Sequence, residues 1–333
     1  MRILVTGATG GLGHNAVEYL LKHDVAVRAT GRNPAIGGAL ADLGAEFIAA
    51  DLAHATPQAL AELVVGMDAV WHCAALSSPW GTPRLFEDSN VKATANLLEA
   101  AGRSGVKCFV HISTPAIYFD FTHRYGIVES FRAKTFVNEY ARTKASAEEE
   151  VRAASVKFPG LRTTILRPRA IFGPHDQVLM PRLMHMLAAR RGRLPLPRGG
   201  RTMIDMTYVD NVVHAMWLAT MKDSLPSGLV FNITNDEPDQ IAVVLEKLFV
   251  GELKRRMEIV DVPYRAMAFG AGVLECFSRM TRKEPRLTRY SAGVLAFDMT
   301  LNLDHAKSML GYAPPVALDE GIARTASWLG KHG

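Results

Sequence analysis

A glycine run placed directly after the first apolar stretch constrains this chain more than any other feature. Arg2-Ile3-Leu4-Val5-Thr6 reads as a strand, Gly7-Ala8-Thr9-Gly10-Gly11-Leu12-Gly13 follows at once, and an amphipathic helical pattern then begins. Strand, glycine loop and helix in that order turn a weak glycine pattern into a strong one. Gly7 lets the chain turn, Gly10 lets the backbone approach a phosphate, and Gly13 lets the helix lie against the strand. The helix N-terminus adds free N–H groups and the positive end of its dipole. The loop therefore predicts a pyrophosphate cradle, with Thr9, Gly11 and Leu12 completing the expected binding set.

Short apolar runs alternate with amphipathic stretches through the first half. The pattern predicts strands at 3–6, 25–29, 46–49, 69–73, 108–112 and 163–166, and helices near 12–23, 57–65, 84–103 and 137–156. That alternation predicts an α/β fold, a doubly wound parallel Rossmann sheet built by right-handed crossovers. After Pro168 the pattern loosens, punctuated by Pro174, Pro181, Pro195 and Pro197 up to Gly199-Gly200. Such a stretch reads as an excursion into a smaller, mainly helical lobe. A helix starting around Tyr208-Val209-Asp210 and a strand Val230-Phe231-Asn232-Ile233 return to the sheet. The expected division is 1–168 plus about 203–235 for dinucleotide binding, and about 169–202 plus 236–333 for the substrate. From Pro238 onward helices predominate, ending in the apolar face of Ile322, Thr325, Ala326 and Leu329.

An apolar fraction of 48% excludes a disordered chain. Cys73, Cys108 and Cys276 are scattered without CxxC spacing, so no disulfide framework and no metal site is expected. A strand at the very start leaves no room for a secretory signal, and a cytoplasmic location is the expectation. The apolar run Ala266 to Phe277, interrupted by Glu275, is shorter than the roughly 20 residues that span a bilayer. It predicts a buried helix without stable membrane insertion. The net charge of +5 comes with basic clusters at Arg190, Arg191, Arg193 and at Arg279, Arg282, Lys283, Arg286, Arg289. No aromatic residues interleave them, so they read as solvated faces and no nucleic-acid partner is expected.

Tyr140-Ala141-Arg142-Thr143-Lys144 sets a phenol and an ammonium four residues apart, on one face of a helix. A neighbouring cation favours phenolate, and such a tyrosine can pass a proton to or from a substrate oxygen. One loop earlier the fifth strand ends in His111-Ile112-Ser113-Thr114-Pro115-Ala116-Ile117-Tyr118. With its TGxxGxxG loop and YxxxK element the chain resembles the extended short-chain dehydrogenase/reductase superfamily. The Ser-Thr-Pro element and Thr207-Tyr208-Val209-Asp210-Asn211-Val212 lean towards its 3β-hydroxysteroid dehydrogenase-like branch.

The resemblance implies roles. Thr114 matches the catalytic hydroxyl that holds the substrate oxygen beside Tyr140, with Ser113 as the alternative and Lys144 as the third catalytic member. Asp51-Leu52 look like the adenine contact and Ala74-Ala75 like the stretch along the cofactor ribose. Arg167-Pro168-Arg169-Ala170 begins a turn whose Pro168 and Ala170 would lie along the nicotinamide. Tyr140 and Lys144 belong to the cofactor set as well. In this superfamily the end of the second strand selects the cofactor. Ala29-Thr30-Gly31-Arg32-Asn33 offers no carboxylate for a ribose hydroxyl, whereas Arg32 can fork two N–H bonds to a 2′-phosphate. NADP(H) is the preferred expectation and NAD(H) the alternative. Asn90-Val91-Lys92-Ala93-Thr94-Ala95-Asn96-Leu97-Leu98 matches a helix of the same subgroup, with Ala93 in place of the usual glycine. Asn90 reads either as a water-mediated support or as a structural amide, and Asp210 as a helix cap. A homodimer through the helices near 84–103 and 137–156 is also implied.

Three functions compete on these residues. Hydride transfer between a nicotinamide and a ketone or secondary alcohol is preferred. Nucleotide-sugar epimerisation or dehydration is the second, weakened because Pro115-Ala116 stands where dehydratases resemble one another in an acidic pair. The third, a non-catalytic NADP(H) sensor, is weakened because Thr114, Tyr140 and Lys144 are all present. Met180, Leu183, Met184, Met186 and Leu187, with Met267, Phe269, Val273, Leu274 and Phe277, read as core packing or as a greasy wall. A small-molecule substrate is expected, a bulky apolar ketone, β-keto acid or steroid-like compound.

Overall fold

Strands buried on both faces carry unbroken apolar runs, and the first strand is of this kind, with Ile3, Leu4 and Val5 fully buried. The computed structural model describes residues 1–281 and 283–332; Arg282 lies outside the described residues. Seven parallel strands form the central sheet, in the spatial order Leu229–Ile233, Arg162–Pro168, Cys108–Ile112, Ala69–His72, Arg2–Thr6, Ala26–Gly31, Glu46–Ala49. The chain winds outward from Arg2–Thr6 in one direction and then in the other. Thr6 thus sits between Thr30 and His72 where the winding reverses, the place at which α/β sheets open a crevice.

Helices cover both faces. Gly11–Lys22 and Val209–Met221 bury Ala16, Val17, Leu20, Val212, Val213 and Met216 against one side. Pro57–Val64, Ala93–Arg103 and Glu139–Lys157 bury Leu60, Leu97, Leu98 and Val151 against the other.

Several boundaries differ from the periodicity. The second strand runs to Gly31, which pairs with Ala49, and the sixth spans Arg162–Pro168 because Cys108–Ile112 pairs with its start and Leu229–Ile233 with its end. The single helix expected near 84–103 is three pieces: Pro83–Phe86, a π-helical turn Glu87–Lys92, and Ala93–Arg103. An unexpected helix, Pro34–Asp42, contains Gly37 and Gly38, which mask its apolar spacing. Asn33 caps it, accepting from the N–H of Ala35 at 3.0 Å and Ile36 at 3.3 Å, and Pro34 opens its first turn.

The second lobe is not only helical. Asp239–Gln240, Met203–Ile204, Met299–Leu301 and Arg124–Ile127 form a second sheet from distant parts of the chain. A further correction concerns the apolar run near 270. Helix Tyr264–Thr281 is not buried: it turns Ala271, Glu275 and Ser278 inward and leaves Phe269, Phe277 and Met280 at 77%, 61% and 79% exposure. Its small residues share the inner stripe, and Glu275 is satisfied there by the backbone N–H and guanidinium of Arg289 at 2.7 and 2.9 Å. No helix among the described residues is long and apolar enough to cross a membrane.

Candidate active site

A cavity of about 680 Å³ opens at the C-terminal ends of the strands, against the glycine loop. Gly7 has φ +65°, and a Cβ there would lie 2.7 Å from the Ala74 backbone nitrogen. A Cβ on Gly13 would lie 2.3 Å from the Gly7 carbonyl oxygen, so the helix can approach the loop only with glycine there. Helix Gly11–Lys22 starts at Gly10 with no capping side chain. Its first N–H groups therefore remain available to an acceptor in the cavity, whose wall includes Gly7, Thr9, Gly10, Gly11, Leu12 and Gly13. A pyrophosphate fits that donor set.

The other expected binding residues share the wall. Arg32 stands exposed where the second strand ends, and its charge reaches the Asp51 carboxylate. Asp51 Oδ1 accepts from the Ala53 N–H at 3.1 Å, holding the bend that presents Leu52. Ala74 and Ala75 follow the fourth strand into the cavity, and Pro168 and Ala170 come from the end of the sixth.

Thr114, Tyr140 and Lys144 meet on the cavity floor. Burial pushes the Tyr140 phenol up, partly offset by hydrogen bonds with Thr114 and Ser77. Thr114 Oγ1 also accepts from the Ala116 N–H at 3.2 Å, capping the short turn Pro115–Tyr118. Lys144 is fully enclosed. Its Nζ donates to the Ile112 carbonyl at 2.6 Å and lies 3.1 Å from His111 Nε2, rather than pairing with the phenol. Burial pushes this ammonium down to about 8. Burial also opposes charging of His111, which suits it to accept from the lysine.

Ser113 lines the cavity too, but its hydroxyl donates to Glu148 Oε1 at 2.6 Å. Glu148 is completely buried and forms a two-pronged pair with Arg167, at 2.7 and 2.5 Å. The serine oxygen is thus committed to the pair that ties Glu139–Lys157 to Arg162–Pro168. Asn90 is a structural amide: Oδ1 accepts from Leu76 N at 2.7 Å and Nδ2 donates to Thr143 Oγ1 at 3.0 Å. Asp210 does not cap its helix, whose N-cap is Tyr208, and instead pairs with Arg324 at 3.4 Å.

Other cavity residues had no motif to announce them, and five of these bear on the site. Ser77 continues the Ala74-Ala75 segment and was legible only as a strand-end polar residue. Tyr290 and Ser291 arrive from the second lobe. Burial, then the nearby Tyr140 phenol, pushes the Tyr290 hydroxyl up to about 12. Gln177 Nε2 donates to the Thr9 carbonyl at 3.1 Å, and Arg182 pairs with Glu284 at 2.8 Å. Of the two readings of the apolar residues after Pro168, the methionines take core packing. Met180 and Leu187 are buried in the core of the second lobe with Leu183, Met184 and Met186 packed on it, while Phe269 and Phe277 face outward.

Sheet, glycine loop and crevice together mark the class, an NAD(P)-dependent dehydrogenase/reductase. The chain belongs to the NAD dependent epimerase/dehydratase family, whose family model matches residues 3–234. It is 48% identical to "Uncharacterized protein YbjS" of Escherichia coli (strain K12), over 100% of this chain and 99% of that one. It is 34% identical to a 2-alkyl-3-oxoalkanoate reductase of Stenotrophomonas maltophilia (strain K279a), over 97% of this chain and 98% of that one. A decarboxylating sterol-4-alpha-carboxylate 3-dehydrogenase of Homo sapiens is 29% identical, over 97% of this chain and 87% of its own. Among solved structures, UDP-glucuronic acid 4-epimerase from Bacillus cereus, in complex with NAD, superposes with TM-score 0.77. That likeness covers 99% of this chain and 97% of the other at 22% identity, and it is one of fold.

Proposed function

We propose that this enzyme interconverts a ketone and a secondary alcohol, using NADP(H) in preference to NAD(H). Its substrate in this reading is a bulky apolar ketone, a β-keto acid or a steroid-like compound. The observation that carries the proposal is that Tyr140, Thr114 and Ser77 line one cavity together with the glycine loop. When bound, the nicotinamide supplies or accepts the hydride. Thr114 and Ser77 orient the substrate oxygen, and Tyr140 gives it a proton in reduction or takes one in oxidation. Lys144, on the same helix as Tyr140 and held by Ile112 and His111, brings a positive charge to the same cavity. Pro168 and Ala170, on the cavity wall, would hold the nicotinamide.

Arg32 supports the cofactor preference. An acidic side chain cannot replace its neighbour Gly31, since a Cβ there would lie 2.5 Å from Thr9 Oγ1. The relatives named for 3-oxo acid reduction and sterol carboxylate dehydrogenation support the substrate class. Against dehydration stands the buried Pro115-Ala116 turn, which brings no acid beside Thr114. We place the enzyme in the cytoplasm, where its unpaired cysteines remain reduced, and as a homodimer through Ala93–Arg103 and Glu139–Lys157.

A panel of ketosteroids, β-keto acids and nucleotide sugars, scored by loss of NADPH absorbance, tests the class. Turnover of a nucleotide sugar with no net change in cofactor overturns it. Tyr140→Phe is expected to lower turnover by about 10²- to 10⁴-fold while cofactor binding stays nearly intact. Retained activity removes Tyr140 from the mechanism.

A further inference from the structure

Beside the glycine loop, on the side away from Tyr140, three ligand-type side chains converge. His14 and Glu18 stand one helical turn apart on Gly11–Lys22 and therefore share a face. His175 reaches the same point from the turn after Ile171–Phe172, with φ +59°. Glu18 Oε1 lies 3.5 Å from His14 Nε2 and 3.4 Å from His175 Nε2, and the three donor atoms fall within 4.8 Å of one another. His14 is buried, and the other two are half-buried.

We propose that His14, Glu18 and His175 hold a divalent transition-metal ion, zinc being the best match, which pins the 173–178 segment to the glycine-loop helix. Two imidazoles and one carboxylate are a borderline-soft N/O donor set, the kind that zinc takes with three protein ligands and one open position. Zinc–ligand bonds of about 2.0–2.2 Å in a tetrahedron set neighbouring donors about 3.3–3.6 Å apart, and both measured carboxylate–imidazole separations lie in that interval. The rings are stacked at 3.7 Å, 19° from parallel, so ligation needs them to splay until their lone pairs converge. His175, half-buried between the His14 and Trp328 rings, is the one that would turn.

Asp176 is not the fourth ligand, because its carboxylate already receives the N–H groups of Val178, Leu179 and Met180 at 2.8–3.0 Å. His14 and His175 line a second cavity of about 400 Å³, whose wall also includes Ala35, Ile36, Ala39 and Trp328.

The place has a structural consequence. Asn15 Nδ2 already donates to the Pro174 carbonyl at 2.9 Å, and a Cβ on Gly11 would lie 2.9 Å from the His175 carbonyl oxygen. An ion here would add a third and stronger tie between the loop that cradles an anion and the segment that walls the same cavity. The inference does not depend on the reaction proposed above.

Full-length protein stripped with a chelator, then titrated with Zn²⁺ by calorimetry and with Co²⁺ by visible absorption, decides the matter. We expect one ion per chain, a rise in melting temperature, and the strong visible bands of tetrahedral Co²⁺. Co²⁺ should also quench Trp328, whose ring centre is 5.1 Å from that of His175. His14→Ala, His175→Ala and Glu18→Gln should each weaken binding by more than the roughly 10- to 100-fold that loss of an outer partner costs. Glu18→Gln preserves shape and His175 is only half-buried, so circular dichroism can certify that these two variants are folded. Absence of binding at micromolar free metal overturns the proposal. One-to-one binding that persists in folded Glu18→Gln and His175→Ala does the same. So does a melting temperature that answers to pH but not to metal, which identifies a proton shared among the three side chains.

Discussion

Lys144 carries the sharpest consequence at the scale of single residues. Burial lowers its ammonium from 10.5 to about 8. Between those values the unfolded chain binds the proton and the fold does not, so raising the pH through that window adds stability. The displacement is worth on the order of 3 kcal/mol. Replacing Lys144 by Met removes the titration, so the wild-type melting temperature should gain on that of Lys144→Met as pH rises from 7 to 10. A constant difference across that range refutes the lowered value. Arg32 gives the second prediction at this scale. Arg32→Ala should cut the preference for NADPH over NADH by about 10- to 100-fold, as loss of charge-assisted bonds to one phosphate does. The measurement is a pair of fluorescence titrations, and tighter NADH binding by the unmodified protein would already count against the assignment. The glycine loop and the Tyr140/Lys144 spacing were legible because both are local: a few adjacent positions define each. The role of Ser113 was not, because its partner Glu148 lies a helix away and no pattern near the serine announces it.

Among elements, the joint between Glu139–Lys157 and Arg162–Pro168 rests on a buried ion pair. Arg167 gives two bonds to Glu148 and one to the Glu129 carbonyl at 2.8 Å, and Glu148 also receives Ser113. Glu148 is also reached by Arg152 at 3.1 Å and Arg132 at 3.4 Å, whereas removing Glu148 leaves the buried Arg167 charge without a counter-ion. Glu148→Leu should therefore cost about 3–5 kcal/mol in urea unfolding, and the double variant Glu148→Leu/Arg167→Met should recover much of it. If the single variant loses less than about 1 kcal/mol, the pair does not hold this joint. The alternation of strands and helices was readable because each strand is one apolar run and each covering helix repeats near 3.6. Helix Pro34–Asp42 escaped, its Gly37 and Gly38 blurring the repeat, although Asn33-Pro34 is a start signal that spacing alone ignores. The second sheet escaped for another reason. Its strands are two to four residues long and find partners far along the chain, so nothing in a local window marks them.

Across the whole molecule, the apolar outer face of Tyr264–Thr281 is what most departs from the pattern reading. Phe269, Val273, Leu274, Phe277 and Met280 are all exposed on this helix. Periodicity locates an apolar stripe but does not say on which side the body of the protein lies, and here the smaller residues took the inside. The proposed homodimer uses other helices, so the two features separate by experiment. Sedimentation should give a dimer for both the native chain and Phe269→Glu/Phe277→Glu. The variant should bind less of a hydrophobic dye and keep its stability within about 0.5 kcal/mol, as exposed substitutions usually do. A monomer at micromolar concentration refutes the dimer, and unchanged dye binding refutes the exposed face.

The pairing of Arg124–Ile127 with Met299–Leu301 also sets an order of events at birth. A ribosome makes the first of these strands long before its partner, and at usual synthesis rates the interval is on the order of ten to thirty seconds. During that time the nascent chain can assemble its large sheet but must carry one uncovered strand edge. Gly126, with φ +58°, and the charged Arg124 make that edge a poor template for a stray strand. The same irregularity that hid this strand from a pattern reader protects the unfinished protein while it waits.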